Sequence, residues 1–255
     1  MRKRFGQHFL VDDYVIDRIV NAIAPVAGQT IFEIGPGSGV LTTPLLNHGV
    51  QLNAIEIDRD LAATLEETLG QSEHFQLFVG DVLKFDFEQH LPQQPGVKVV
   101  GNLPYNISTP LILRLLQVVT RLESMTFMVQ QEVAERLAAD VGGKQYGRLS
   151  VMAQRHTEIQ LLFGVAPECF DPPPKVESAV VRMTPRTHQP DRELDSRFEE
   201  IVRQAFGQRR KTLANALGGM VSSQEIESCG IDPRVRAETL TVDAFERLAA
   251  KMPQR

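Results

Sequence analysis

The sequence predicts an α/β protein: a Rossmann-like parallel sheet with helices on both faces, followed by a small all-helical domain. Three features carry that expectation. Short apolar runs alternate with amphipathic helical segments through the first half of the chain, and a glycine-rich turn, EIGPGSG at 33–39, joins one such run to a helical pattern. The proline-containing stretch TPRTHQPD at 184–191 then separates this region from a C-terminal segment whose apolar residues recur at helical spacing.

Asp12 or Asp13 can cap a first helix with apolar positions Val15, Ile16, Ile19, Val20 and Ile23, closed by Pro25 and Gly28. TIFEIG (30–35) reads as the first strand, and Val40–Asn47 as the helix after the glycine turn. LNAIEID (52–58) is a second strand leading into the helix LAATLEETL (61–69), and FQLFVGD (75–81) is a third strand that ends on an acid. VKVVGNLPY (97–105) is a fourth strand, Pro110–Val119 a helix, and MTFMVQQE (125–132) a fifth strand. Strands that alternate with helices return to the same end of the sheet each time, so they are expected to be parallel.

After Tyr146 the pattern changes to a helix, YGRLSVMAQRH, a strand near Ile159–Val165, the break CFDPPPK, and a strand ESAVVRM (177–183). The two late strands are expected as an antiparallel addition at the sheet edge. Beyond the linker, Phe198, Ile201, Val202, Ala205 and Phe206 form one helical face, with RRKTLANAL and VDAFERLAAKM as two more helices. The expected domains are 1–187 and 188–255.

With 255 residues, 42% hydrophobic and 23% charged, the chain has ordinary globular usage, which excludes collagen-like and wholly disordered classes. Its cysteines, Cys169 and Cys229, form no CxxC, and its six histidines have no ligand spacing, so neither a disulfide framework nor a metal is expected. No apolar run approaches the roughly 20 residues of a membrane span, and MRKRFGQHFL has no leader-like apolar core. A soluble, cytoplasmic monomer is the expectation.

The net charge of −5 argues at first against a nucleic-acid partner. Its distribution is uneven, however: +3 over residues 1–10, −9 over 11–100, zero over 101–185 and +1 over 186–255. The acidic excess therefore belongs to the segment that holds the glycine turn.

That turn follows a strand and opens a helix, where free N–H groups attract an anion, either a phosphate or a carboxylate. The dinucleotide pattern GxGxxG would need a third glycine at position 40, which is Val40. A nicotinamide reading is weakened accordingly, and the absence of an evident catalytic His or Lys–Tyr pair counts further against it. S-adenosylmethionine suits the turn better, because its methionine end carries a carboxylate that a glycine turn containing Gly35 and Gly37 can attract. Glu56 ends the second strand, where a carboxylate can accept from both ribose hydroxyls, and Asp81 ends the third, where it can accept from the adenine amine. All three lie at the carboxyl ends of strands, the ligand edge of an open α/β sheet. The plainer alternative is that Asp58 or Asp60 caps a helix and Asp81 starts a turn.

Asn102-Leu103-Pro104-Tyr105 follows the fourth strand on the same edge. An exocyclic aromatic amine is a poor nucleophile, since its lone pair is conjugated into the ring. Methylating it calls for acceptors that hold its N–H groups as positive charge develops on nitrogen. Asn102 Oδ1 and the Leu103 carbonyl can serve, Pro104 stiffens the turn, and Tyr105 can stack on the base. No strong base is needed, because the methylated ammonium loses its proton readily. A simple Asn-capped strand-to-turn connection is the alternative.

RKRFGQHFL, EIGPGSGVLT, IEIDRD, GDVLKFD, GNLPYNIS, FDPPPKVESAVV and FGQRRKTLANAL together resemble the ribosomal RNA adenine dimethyltransferases, from about residue 2 to the end. FGQRRKTLANAL and GRLSVMAQ favour the bacterial small-subunit branch over the large-subunit, antibiotic-resistance kind. The resemblance implies transfer of two methyl groups from S-adenosylmethionine to N6 of each of two adjacent adenosines near the 3′ end of 16S rRNA in the assembling small subunit. It implies cofactor contacts at His8, Leu10, Gly35, Glu56, Asp81 and Asn102, with His8 standing where many members have Asn. Target-adenine contacts would fall on Asn102, Leu103 and Tyr105, with Phe170 as a second stacking ring. An intact Asn102 and Tyr105 argue against a non-catalytic assembly factor.

For RNA contact the sequence offers Arg2, Lys3 and Arg4, and a second cluster of Arg209, Arg210 and Lys211 near Arg203. Arg136, Lys144, Arg148 and Arg155 are further cations of the middle segment. Such groups can neutralise phosphates, although a single charge run is more often a solvated face.

Overall fold

A computed structural model describes residues 8–208 and 210–252. Contacts divide the chain into one unit of residues 1–134 with 158–185 and another of 135–157 with 186–255. The expected break at 187/188 lies two residues from the last of the three crossings between units. The segment 135–157, placed by the sequence reading in the first domain, belongs instead with the helical unit. Its Tyr146 and Val151 are fully buried among that unit's apolar residues.

The first unit begins with strand β1 (Phe9–Leu10) and helix α1 (Asp13–Ile23). It continues through β2 (Thr30–Ile34), α2 (Thr42–Asn47), β3 (Gln51–Glu56), α3 (Arg59–Leu69) and β4 (Phe75–Val79). Then come α4 (Phe87–His90), β5 (Val97–Asn102), α5 (Ser108–Leu116), β6 (Leu122–Gln130) and α6 (Gln131–Leu137), the last reaching into the second unit. The second unit's α7 (Arg148–His156) leads to β7 (Thr157–Val165), β8 (Phe170–Asp171) and β9 (Ser178–Pro185) of the first.

The seven-stranded sheet has the order β4-β3-β2-β5-β6-β9-β7. Its first five strands are parallel, with Glu33 opposite Ala54 and Phe32 opposite Val99. Strand order reverses between β2 and β5, which opens a crevice outside their carboxyl ends. β9 is antiparallel to β6, with Phe127 opposite Val181. The two late strands are both added at the β6 edge, as expected, but out of chain order: β9 lies against β6 and β7 is outermost. Met125–Val129 and Ser178–Val181 are wholly buried, whereas β7 has exposed positions. Strands buried on both faces suit the interior, and the half-exposed one suits the edge.

Local chemistry accounts for the boundaries. Asp12 caps α1 by accepting from the Val15 N–H at 2.9 Å. The other end is closed by a buried Lys98, whose Nζ donates to the Ile23 and Ala24 carbonyls at 2.9 and 2.7 Å. β5 stops at Asn102, three residues earlier than the apolar run suggests, because Pro104 has no N–H for a ladder. The expected RRKTLANAL helix is reduced to α9 (Leu213–Ala216), since Thr212 is extended and Gly218-Gly219 end the turn.

In the second unit α7 packs with α8 (Asp195–Gly207) and α11 (Val242–Lys251), α8 with α9, and α10 (Ser223–Ser228) with α11. Their shared core includes Phe198, Ile201, Leu213, Phe245 and Leu248. Arg155, grouped with the RNA-facing cations by the sequence reading, is buried here. It pairs with Asp195 at 2.6 Å and Glu246 at 3.0 Å, donates to the Asp191 carbonyl, and lies 4.2 Å over the Phe198 ring. Removing it would leave both carboxylates unpaired, but they are 42% and 33% exposed and keep some water. Arg155→Ala is therefore expected to cost about 3 kcal/mol, toward the lower end for breaking a buried pair. Urea denaturation should show this as a lower midpoint, while the salt dependence of RNA binding stays unchanged; an altered salt slope would return Arg155 to the RNA face.

Among the described residues no helix is long and apolar enough to cross a membrane, and no cluster of His, Cys, Asp or Glu could hold a metal.

Candidate active site

A cavity of about 490 Å³ lies at the carboxyl ends of β2, β3 and β5, a size typical of small-molecule sites. It is lined by His8, Phe9 and Leu10 of the N-terminal stretch, by residues of the glycine turn, and by Glu33, Glu56 and Asp81. Asn102, Leu103, Pro104 and Tyr105 complete it. The sequence-predicted site residues on separate strands thus meet in one crevice.

Gly35, Gly37 and Gly39 have φ of +65°, +60° and +85°, conformations that side chains disfavour. A Cβ on Gly35 would meet no protein atom within 4 Å, so this position is open to a ligand. The expectation of free glycine N–H groups needs correction. Gly35 donates to the Ile55 carbonyl at 2.9 Å, Gly39 to the Pro36 carbonyl at 2.9 Å, and Gly37 to Glu56 Oε2 at 3.0 Å. The glycine amides hold the turn's shape, and the turn contributes its open backbone surface to the cavity.

Glu56 also accepts from the Asp58 N–H at 2.9 Å through Oε1. Burial raises its pKa, opposed by these backbone donors. Both oxygens are fixed, and each retains a lone pair for a donor such as a hydroxyl. Asp81 accepts from the Leu83 N–H at 2.9 Å and starts the short turn Val82–Lys84. The turn-starting and ligand-facing readings hold together, because one oxygen caps while the residue lines the cavity. Asp58 caps α3 and does not line it.

Glu33, 1% exposed on β2, accepts from the Thr42 hydroxyl at 2.8 Å. Burial, offset partly by this hydrogen bond and reinforced by the Glu56 charge, lifts its pKa to about 7. Of the acidic residues in 11–100, Glu33, Glu56 and Asp81 line the apolar crevice. That arrangement favours a cationic ligand.

The turn after β5 is fixed from several sides. The Leu103 N–H donates to the Met128 carbonyl at 3.0 Å, and the Pro104 carbonyl accepts from Ile107 and Ser108. Asn102 Nδ2 donates to the His8 carbonyl at 3.2 Å, which leaves Oδ1 as an acceptor toward the cavity. The Tyr105 ring lies 5.9 Å from the His8 imidazole at an interplanar angle of 26°, and His8 Nδ1 donates to the Pro172 carbonyl.

Phe170 departs from its predicted role. It is 3% exposed, pairs with Leu10 in the β1–β8 ladder, and packs in the core beside Val165 and Val180 rather than lining the cavity. It belongs to the same core cluster as Leu10 of β1. Of the predicted RNA cations, Arg210 and Lys211 are exposed, whereas Arg2, Lys3, Arg4 and Arg209 lie outside the described residues.

Three residues escaped the sequence reading. Phe9 lies against Gly37, where an added Cβ would approach its ring to 3.4 Å. A Cβ on Gly101 would sit 2.5 Å from the Ile34 carbonyl, so the tight approach of β5 to β2 needs this glycine; its place directly before Asn102 was the available signal. Ser178, far away in sequence, bonds Tyr105.

An open α/β sheet with one antiparallel strand inserted near its edge, a glycine turn, two strand-end acids and an Asn-Leu-Pro-Tyr turn in one cavity define an S-adenosylmethionine-dependent methyltransferase. Residues 1–253 match the family Ribosomal RNA adenine dimethylase. The chain belongs to that family. It is 50% identical over 254 residues to the Ribosomal RNA small subunit methyltransferase A of Pseudomonas fluorescens, covering 99% of this chain and 93% of the relative. It is 48% identical over 252 residues to the protein of the same name from Hydrogenovibrio crunogenus, covering 97% and 95%. Among solved structures, the 23S rRNA methyltransferase ErmE superposes with a TM-score of 0.74 at 26% identity, covering 96% of this chain and all of that one. A dimethyladenosine transferase from Plasmodium falciparum has the same fold, with a TM-score of 0.76 at 23% identity and coverage of 94% and 96%.

Proposed function

We propose that this chain transfers methyl groups from S-adenosylmethionine to N6 of two adjacent adenosines near the 3′ end of 16S rRNA. It dimethylates each during small-subunit assembly and acts as a cytoplasmic monomer. The observation that carries the chemistry is the meeting of the Asn102–Tyr105 turn with the glycine turn, Glu56 and Asp81 in one cavity. The choice of small-subunit RNA is supported by the near full-length similarity to relatives named for that subunit.

The cavity fits the cofactor in its chemistry. Gly35 offers backbone uncovered by any side chain, Glu56 suits a diol, Asp81 an amine, and buried Glu33 a positive charge. When bound, the cofactor supplies a methyl group made electrophilic by a sulfonium. This chain's residues do the rest. Tyr105 stacks on the flipped base, and Asn102 Oδ1 with the Leu103 carbonyl accepts the N6 hydrogens, drawing the lone pair out of conjugation as charge develops on nitrogen. The buried Leu10 and Leu103 help keep water from the transfer. The RNA is met by cations, with Arg2, Lys3, Arg4, Arg209, Arg210 and Lys211 proposed for phosphate contact.

Incubation of unmethylated small subunits with the protein and labelled cofactor, followed by nucleotide mapping, tests this reading. The expected result is dimethylation of two adjacent adenosines. Modification confined to large-subunit RNA, or no methyl incorporation at all, would overturn it.

A further inference from the structure

Ser178 opens β9, pairs in register with Gln130 of β6, and is fully buried. The residues that follow it, Ala179, Val180 and Val181, are apolar and equally buried, so a hydroxyl is not what packing alone selects there. Its partner is the Tyr105 hydroxyl, with 2.8 Å between the two oxygens. Tyr105 stands on the turn after β5 and is only half-buried. A phenol attached to a turn can rotate about both side-chain torsions, and a hydrogen bond at its far end to an interior strand restrains the two together.

We propose that Ser178 is a positioning residue for methyl transfer, fixing the plane of the Tyr105 ring so that its face is presented to the target adenine. This rests on the reading of Tyr105 as the base-stacking ring. Ser178 does not line the cavity and acts through Tyr105 alone. The ring is thus held at its tip by the sheet, while His8 of the N-terminal stretch lies against it. The inserted β9, absent from a purely parallel sheet, brings the serine to this place, since Ser178 and Tyr105 are 73 residues apart.

The test compares Ser178→Ala, Tyr105→Phe and the double variant in the full chain, measuring methyl transfer to unmethylated small subunits, cofactor affinity by titration, and thermal stability. Each single change is expected to lower kcat by about tenfold, the scale of a modest misplacement at a reacting centre, with cofactor affinity unchanged. The double variant should be no slower than either single one, because both changes remove the same bond. Ser178→Thr, which restores a hydroxyl, should recover most of the rate. Additive losses, a Ser178→Ala enzyme as fast as the parent, or a matching fall in cofactor affinity would overturn the proposal. Tyr105→Ala separates the two levels. If it retains full transfer, the stacking reading itself fails; if it is inactive while Ser178→Ala is unaffected, only the positioning role fails.

Discussion

Asn102→Ala is expected to lower methyl transfer by about a thousandfold, at the upper end of the loss seen when one donor or acceptor aimed at developing charge is removed. The adenine amine gains nucleophilicity only as its lone pair leaves the ring, and Asn102 Oδ1 is placed to stabilise that change. In the structure the amide is already oriented, because Nδ2 donates to the His8 carbonyl at 3.2 Å. Alanine removes both the acceptor and this tether. The tether is a single, partly exposed hydrogen bond worth about 1 kcal/mol, so the melting temperature should fall by only a few degrees. Cofactor titration should show binding largely retained, with at most a small loss from the one contact Asn102 contributes, since the glycine turn, Glu56 and Asp81 are untouched. Asn102→Asp keeps an acceptor and should be less damaged than alanine. Turnover on assembled subunits within threefold of the parent would remove Asn102 from the chemistry.

The residues that form this site differ in how readable they are from sequence. Glu56, Asp81 and Asn102 end strands whose apolar runs are unmistakable, and a parallel sheet places all strand ends of one kind on one edge. Their convergence follows from topology alone. Ser178 could not be found that way, because its relation to Tyr105 depends on β9 entering the sheet between β6 and β7, and periodicity reveals a strand's faces but not its neighbours. The same limit explains Arg155 and the segment 135–157. An arginine on a helix reads as solvated until the carboxylates of α8 and α11 are known to surround it. Phe170 owes its expected stacking role to the family resemblance alone; pairing with a two-residue strand at Leu10, too short for any periodic signal, puts it in the core. The glycine turn was located correctly, but whether its amides are free is decided by which neighbouring strand accepts them.

Glu33→Gln is expected to stabilise the protein without its cofactor at alkaline pH while weakening its hold on the cofactor. Glu33 is held by the Thr42 hydroxyl in an almost dry site, with a pKa of about 7 against 4.5 for an ordinary glutamate. A raised carboxyl pKa means that the folded state binds more protons than the unfolded one between these values, so stability falls as pH rises from about 4.5 to 7 and then levels off. The accumulated cost above pH 7 is on the order of 3 kcal/mol. Glutamine keeps an acceptor for Thr42 and carries no charge. The variant should therefore match the parent near pH 4.5 and melt at higher temperature at pH 8, a difference measurable by thermal scans across that range. Binding runs the other way. A cationic cofactor is favoured by an ionised Glu33 and should expel its proton at neutral pH. Calorimetry in buffers of different ionisation enthalpy should detect proton release in the parent and much less in the variant. Affinity for S-adenosylmethionine at pH 8 should drop at least tenfold, as expected for losing a charge partner near a protein interior, while the product S-adenosylhomocysteine, whose sulfur is a neutral thioether, should be affected less. Identical pH–stability curves for parent and variant would show that Glu33 is not the titrating group. Equal losses for cofactor and product would show that its charge does not distinguish them. With the expected results, the buried carboxylate is a site where stability is lowered so that a positive ligand is preferred, which is why an acidic cavity and an RNA substrate can belong to one chain.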